Sequence, residues 1–229
     1  MRSTRRAFIG RALVAAAAWP MRARAADAVV LVEEWRDASP GAIGVPTGWR
    51  PYETPGGRPA YDFTVVNDDG RRALHLKSAS EHSTIAKETT IGLAATPVLR
   101  WEWKVVKFPS GADLREKSTS DATGHLFVIW PRFPAIVRSQ LIGYVWDPVL
   151  PIGTIVKSRK TSTVTFIVAR SGPERVGQWV SSERNVAADY RIVYGEAPAD
   201  PKAIALSIDT NDTRSSAEAL FGRIAFVAQ

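Results

Sequence analysis

Apolar and polar positions alternate along most of the chain after the first 28 residues. The clearest case is segment 98–108, where Leu99, Trp101, Trp103 and Val105 alternate with charged residues. A period of two places successive side chains on opposite faces of a strand, so this segment predicts a strand with one buried face. Further strands are predicted at 29–35, 61–66, 73–77, 83–91, 125–130, 141–146, 154–157, 162–169, 203–209 and 221–227.

Turn and cap residues separate these segments. Residues 67–70, Asn-Asp-Asp-Gly, predict a hairpin turn because these residue types tolerate a positive φ. Segment 186–194 predicts a short helix, with Asn185 as its N-cap and Gly195 just beyond its end. Residues 215–218 begin with Ser and end with Glu, a capping-box spacing that predicts one more helical turn.

Many short strands with frequent turns favour an all-β fold. The sequence contains no internal repeat, no low-complexity tract and no long flexible linker. We therefore predict a single two-sheet antiparallel β-sandwich, jelly-roll-like, with one or two short helices. A closed barrel is the alternative.

The N-terminus resembles a twin-arginine (Tat) export signal. Arg5 and Arg6 precede an apolar run at 12–19, and small residues lead up to Ala25. The run is shorter than the roughly 20 apolar residues that span a bilayer. The small residues that follow it are typical of a signal-peptidase cleavage site. We expect export by the Tat machinery, cleavage after Ala25, and a periplasmic or secreted protein with no stable membrane span.

Cleavage changes the charge of the protein. Segment 1–25 carries six arginines and no acidic residue, so its loss lowers the formal charge from +7 by six to +1 in the domain 26–229. The basic character thus belongs to the signal, which argues against a nucleic-acid partner. The chain has no cysteine, which excludes disulfides and thiolate chemistry.

Several aromatic residues are candidate ligand platforms. Trp101, Trp103 and Trp130 share strand faces with apolar residues, which predicts core positions. Tyr144 and Trp146 share a face that ends at an Asp-Pro turn. Either a core position or an exposed ligand platform fits these two.

The polar face of segment 98–108 carries Arg100, Glu102 and Lys104. A solvated sheet surface accounts for this row. If the sheet is curved, the same face is concave, and the row could bind a polar ligand or hold a poised carboxyl group.

Two polar loops follow strands. The first contains Asp113 and Asp121, and the second contains Asp209, Asn211 and Asp212. Alternating oxygen ligands of the second loop could bind Ca²⁺, although an Asx turn explains them equally well. We predict no other cofactor.

Common catalytic motifs are absent from the sequence. His75, His82 and His125 have no metal-ligand spacing, and neither Gly-x-Ser-x-Gly nor a phosphate-binding glycine loop occurs. A serine hydrolase, a zinc protease and a nucleotide enzyme are therefore disfavoured.

Residues around the predicted helix suggest an ionic clamp. Asn185 would cap the helix, while Asp189 would pair with Arg184 or with Arg100. The alternative places Asp189 at the rim of a cleft.

Several motifs together resemble an uncharacterised bacterial family, domain of unknown function 3047 (DUF3047). They are Trp-Glu-Trp at 101–103, Gly-Ala-Asp at 111–113, the Asp121 loop, Tyr-Val-Trp at 144–146, the stretch 177–190 and Asp-Thr-Asn-Asp-Thr at 209–213. The likeness extends from about residue 30 to residue 227. It implies an exported β protein, similar to carbohydrate-binding sandwiches.

The leading hypothesis is a periplasmic protein that binds a glycan or another polar cell-envelope ligand. Its candidate ligand-binding residues are Arg100, Glu102, Lys104, Asp113, Asp121, Tyr144, Trp146, Asp189 and Asp209. The alternative is a glycoside hydrolase or lyase that uses Glu102 with Asp121 or Asp209 as its carboxyl pair. A structural or assembly role is the third hypothesis.

Overall fold

The computed structural model describes residues 28–52 and 59–229. The predicted signal, 1–25, lies outside this part of the chain. Within the described residues the protein forms two sheets with a few short helices. None of the helices found there is long and apolar enough to cross a membrane.

Sheet A contains six strands. Their bounds are β1 Val29–Glu33, β3 Phe63–Asp68, β4 Arg71–Ala79, β6 Val98–Lys107, β11 Val180–Asn185 and β13 Ser216–Val227. The order across the sheet is β11–β6–β13–β4–β3, and β1 also pairs with β13.

Sheet B contains seven strands. Their bounds are β2 Arg50–Pro51, β5 His82–Glu88, β7 Ala122–Trp130, β8 Gln140–Asp147, β9 Ile155–Lys157, β10 Val164–Ser171 and β12 Ala203–Asp209. The order is β2–β5–β12–β7–β8–β10–β9. The helices are α1 Ala135–Arg138 and α2 Val186–Tyr194, with a 3-10 turn at Lys117–Thr119.

The predicted sandwich is confirmed, with one departure from antiparallel pairing: β8 and β10 run parallel. The helix at 186–194 is confirmed as α2, capped by Asn185 and followed by Gly195 at φ 73°. The predicted helical turn at 215–218 is wrong, because Ser216 begins β13. Ala217 and Ala219 are buried there and pair with β4, so tertiary packing overrides the local cap signal.

The main core lies between the sheets and is rich in aromatic rings. Trp101 of β6 stacks on Tyr144 of β8, with ring centroids 5.4 Å apart. Trp103 lies 5.7 Å from Trp146 and 6.0 Å from Phe221. All five side chains are buried. Tyr144 and Trp146 are therefore core residues, and the prediction that they form a ligand platform is wrong.

A buried ionic clamp ties α2 to both sheets. Arg184 at the end of β11 donates to Asp189 of α2 through Nε, at 2.9 Å from Oδ2, and its Nη2 pairs with Oδ1. The Tyr144 hydroxyl of β8 donates to the same carboxylate at 2.8 Å, and burial together with Asp189 raises the pKa of Tyr144 well above its usual value. Asp189 is 3% exposed, so it is part of this clamp and not of a ligand site. Its arginine is Arg184, because Arg100 pairs with Glu183.

A second apolar cluster covers the outer face of sheet B. Phe127, Leu141, Val145, Phe166 and Val168 are buried there, on the side of the sheet that faces away from sheet A. Since a sandwich needs only one buried face per sheet, this second cluster marks a surface that is more than a solvated sheet.

Candidate ligand-binding cleft

A cleft of about 340 Å³ opens on the outer face of sheet B. Strand register assembles its floor: Ala205 of β12 lies beside Phe127 of β7, Phe127 beside Gly143 of β8, and Gly143 beside Phe166 of β10. Alternation along each strand points these residues to the same face. The floor is therefore built on rigid strands and not on loops.

Small and aromatic residues alternate across the floor. A Cβ on Gly143 would lie 2.6 Å from Cε1 of Phe127 and 3.1 Å from Cδ1 of Phe166, so glycine leaves room for both rings to lean inward. The Phe127 and Phe166 centroids are 6.2 Å apart. His125 stacks on Phe127 at 5.2 Å. The result is a compact aromatic floor of three rings.

Charged and amide groups close one end of the cleft. Nζ of Lys160 lies 3.4 Å from Oδ2 of Asp209 and 3.5 Å from Oδ1 of Asn211, and it forms an ion pair with Asp212. The three residues predicted as calcium ligands thus come together around an ammonium group. Within the described residues no group of three or more His, Cys, Asp or Glu side chains is arranged to hold a metal ion.

Burial shifts the ionisation of this polar end. It raises the pKa of Asp209 to about 7; Lys160 opposes this shift, and the nearby charge of Asp121 adds to it. Burial by itself would lower the pKa of Lys160, but Asp209 and Asp212 raise it above its ordinary value. Lys160 therefore stays charged at neutral pH, while Asp209 exchanges a proton near neutrality.

Two neutral histidines and two hydroxyls line the neighbouring wall. Burial lowers the pKa of His82 to about 4 and that of His125 to about 3. Nε2 of His82 is 2.9 Å from Oγ1 of Thr84, which donates to Oγ of Ser207 at 2.8 Å. Nδ1 of His125 is buried without a hydrogen-bond partner among the described residues. This wall offers uncharged donors and acceptors.

Asp121 supports the site from behind. Its carboxylate accepts the backbone N–H of Asp212 at 3.2 Å and, through Oδ2, both the N–H and the hydroxyl of Thr213 at 2.7 and 2.6 Å. It is 1% exposed. Asp121 therefore fixes the loop that follows Asp209 and does not line the cleft.

The other predicted residues lie elsewhere. On the outer face of sheet A the predicted row is paired within the protein: Arg100 with Glu183, Glu102 with Arg71, and Lys104 with Asp68 and Asp69. Asp113 accepts two hydrogen bonds from the Arg115 side chain at 2.9 and 2.7 Å. The side chain and backbone N–H of Arg115 lower the pKa of Asp113. Of the predicted ligand-binding residues, the cleft contains Asp209.

The predicted hydrolase pair is not formed. Glu102 points outward from β6 of sheet A, whereas Asp209 ends β12 of sheet B. Packed sheets are about 10 Å apart, so the two carboxyls lie on opposite sides of the sandwich. Asp121 is on the Asp209 side but is occupied by its loop. The version of the hydrolase hypothesis that pairs Glu102 with either residue is wrong.

Sequence reasoning missed the aromatic floor and Lys160. A usable signal was present in β7, where every residue from Leu126 to Trp130 is apolar, since a strand that buries one face alternates with polar residues. Lys160, in contrast, carries no pattern. It reaches Asp209 from the turn after β9, across 49 positions of the sequence.

Fold and site together define a class: a two-sheet β-sandwich with a cleft on the outer face of one sheet. The chain matches the family described as "Protein of unknown function (DUF3047)" over residues 47–225, and it belongs to that family. The predicted resemblance is confirmed. No curated protein matches the chain.

Solved structures similar to the chain include two modules of cellulosomal cellulases from Clostridium thermocellum. A family 30 carbohydrate-binding module is 12% identical, with a TM-score of 0.48 and coverage of 88% of this chain and 98% of the module. A family 11 module is 9% identical, with a TM-score of 0.46 and coverage of 88% and 95%. The xyloglucanase domain of NopAA from Sinorhizobium fredii is 9% identical, with a TM-score of 0.43 and coverage of 83% and 99%.

Proposed function

We propose that this protein binds a carbohydrate in the cleft on the outer face of sheet B. The observation that carries the proposal is the pairing of an aromatic floor, formed by His125, Phe127 and Phe166, with a polar end at Asp209 and Lys160. Ligand sites in proteins are typically concave and mostly apolar, with a few placed polar groups.

Sugars fit this combination of surfaces. The C–H faces of a pyranose ring pack on aromatic rings, while its hydroxyls need hydrogen-bond donors and acceptors in the plane of the ring. The wall of the cleft supplies hydroxyl and imidazole groups that remain uncharged at neutral pH. Because the floor stands on paired strands, little ordering is needed on binding, which favours affinity.

Binding is favoured over hydrolysis by the number of carboxyl groups. Glycoside hydrolysis ordinarily uses two carboxyls, one on each side of the scissile bond. Among the described residues that line the cleft, Asp209 is the sole carboxyl. Its pKa of about 7 suits a group that donates or accepts a hydrogen bond near neutral pH. We therefore expect no release of reducing ends from bound glycans.

Isothermal titration calorimetry against soluble glucans, xylans, mannans and bacterial cell-envelope polysaccharides tests the proposal. We expect saturable binding of at least one polymer by the wild type, and a large loss of affinity in Phe166→Ala. Glu183→Gln, an exposed position on sheet A, is the matched control and should bind like the wild type. A panel without any saturable response would remove the proposal.

The proposal places this binding outside the cytoplasm. It rests on the paired arginines, the short apolar run and the small-residue exit at Ala25. Cell fractionation with N-terminal sequencing tests it. We expect a periplasmic form that begins at Ala26, and cytoplasmic accumulation of the precursor when Arg5 and Arg6 are both changed to Lys. Normal export of that double variant would contradict the Tat route.

A further inference from the structure

A second hollow, of about 620 Å³, adjoins the cleft on the same outer face. We call it the distal hollow; Thr89, Lys202 and Ala203 are among its lining residues. Tyr52 and Ile129 line both the cleft and the distal hollow. The two hollows therefore share a boundary and form one groove.

The groove follows strand β12. Asp209 lies at its polar end, Ser207 and Ala205 lie along the cleft, and Ala203 lies in the distal hollow. Seven strand residues at about 3.3 Å per residue give a length of about 20 Å. That is room for several consecutive sugar rings and far more than one ring needs.

Two of the three cations that line the groove have ionic partners, whereas Lys202 of the distal hollow has none among the described residues. Lys160 pairs with Asp209 and Asp212, and Nη2 of Arg50 lies 2.7 Å from Oε1 of Glu88. A polyanion would need several unpaired cations to offset the cost of desolvating its charges. The charge pattern of the groove thus suits an uncharged ligand.

Each half of the groove contains a buried polar atom that has no partner among the described residues. Nδ1 of His125, in a side chain 3% exposed, lies beside the aromatic floor, and Oγ1 of Thr89 lies beside the distal hollow. Leaving a buried donor or acceptor unsatisfied costs free energy. A ligand hydroxyl, directly or through a water molecule, satisfies such an atom after a small side-chain rotation.

We infer that the groove binds an unbranched, uncharged glycan, laid along β12 across both the cleft and the distal hollow. This inference rests on the proposed function and specifies its ligand class. The recognised form is an internal stretch of chain, because the groove holds several rings in a row. A single terminal sugar would leave the distal hollow unused.

Affinities for oligosaccharides of increasing length test the inference. Calorimetric affinities are determined for gluco-, xylo- and manno-oligosaccharides from disaccharide to hexasaccharide, with oligogalacturonates as the charged series. We expect the tetrasaccharide of the recognised series to bind at least about tenfold more tightly than its disaccharide. Oligogalacturonates of equal length should bind more weakly. A disaccharide that binds as tightly as the hexasaccharide, or a preference for galacturonate, would overturn the inference.

Variants of the distal hollow separate this inference from the proposed function. Ala203→Phe fills the distal hollow, and Lys202→Ala removes an exposed side chain from it. Both should lower the affinity for hexasaccharide and leave that for disaccharide unchanged, while Lys77→Ala on sheet A changes neither. Thermal melting checks folding; if Ala203→Phe does not fold, Lys202→Ala and the length series still decide.

The pattern of failure identifies which idea is wrong. Suppose that Phe166→Ala abolishes binding, but that affinity depends neither on ligand length nor on the two substitutions in the distal hollow. That result would contradict the extended groove and leave the proposed function standing. No binding of any oligosaccharide contradicts the proposed function itself.

Discussion

The outer faces of the two sheets differ in how their polar groups are satisfied. On sheet A the outward residues of β6 are long and charged, and they pair with neighbours on the same surface, as Arg100 does with Glu183. On sheet B the outward residues are small, aromatic or buried, as at Ala205, Gly143 and Phe127. A hollow of about 490 Å³ lies beside Arg100 on the first face, but its charged groups are paired within the protein. The cleft of the second face lies beside buried polar atoms that have no partner among the described residues.

The difference shows that charge on a strand is a poor guide to a binding face. Long charged side chains reach one another over a sheet and satisfy themselves, and surface pairs of this kind contribute little. Small residues beside large aromatic rings form a cavity, and the polar groups that line this cavity are less exposed to water. On sheet B burial accordingly shifts the pKa values of His82, His125 and Asp209 against their charged forms. On sheet A the pKa of Asp68 is lowered and that of Lys104 is raised despite burial, because the two groups pair with each other.

The largest expected effect is a loss of stability when the buried clamp between the two sheets is broken. Asp189→Ala leaves Arg184 and the Tyr144 hydroxyl without their common partner. Breaking a buried ion pair in this way should lower the unfolding free energy by about 3–5 kcal/mol, measured by urea denaturation. Glycan affinity at a temperature where the variant is folded should stay at the wild-type value. Wild-type stability combined with lost binding would place α2 in the site.

The next largest effect concerns the aromatic floor. Phe127→Ala removes the ring that contacts His125 and Phe166, and glycan affinity should fall by about tenfold to a hundredfold, or about 1.5–3 kcal/mol. Arg100→Ala on sheet A is the matched comparison and should leave the affinity unchanged. Equal losses in the two variants would erase the distinction between the faces.

A third effect, spread over several pH units, depends on Asp209. Burial raises its pKa from 3.8 to about 7, so between these values the folded protein holds a proton that the unfolded chain lacks. Asp209 therefore lowers stability as the pH rises from about 4 to about 7, by at most about 1.4 kcal/mol per pH unit. Urea denaturation at several pH values should show wild-type stability falling relative to Asp209→Asn across this window. Parallel curves would contradict the shift.

The smallest effect is expected on the outer face of sheet A. The Arg100 and Glu183 side chains are 59% and 63% exposed, and their ion pair is open to solvent. Replacing Glu183 by Gln should change the unfolding free energy by less than about 1 kcal/mol. Chemical denaturation at low and high salt checks this expectation. A clearly larger loss would mean that this face is also built for more than solvation.

Much of the fold was predictable because strand periodicity is local. The alternation at 98–108, the turn at 67–70 and the caps of α2 each depend on neighbouring residues, and the structure has all three. Strand β11, Val180–Asn185, was not predicted, because its polar sequence becomes a strand only through pairing with β6. This strand therefore depends on tertiary contacts and not on its local sequence.

The site was harder to predict than the fold because it is assembled across strands. Phe127, Gly143 and Phe166 are distant in sequence and adjacent only through register. Asp209 was identified from its polar loop, whereas Tyr144 and Trp146 were misassigned because one strand cannot reveal which of its faces meets the other sheet. The available clue in the sequence was the run of apolar residues from Leu126 to Trp130, which places apolar side chains on both faces of β7.

Backbone amide NMR, recorded during titration with the oligosaccharide that binds most tightly, tests the central claim most directly. The account predicts saturable chemical-shift changes concentrated along the outer face of sheet B, at His125, Phe127, Phe166 and Asp209, with little change at Arg100 or Glu183. Changes centred on the outer face of sheet A, with the cleft unaffected, would contradict it.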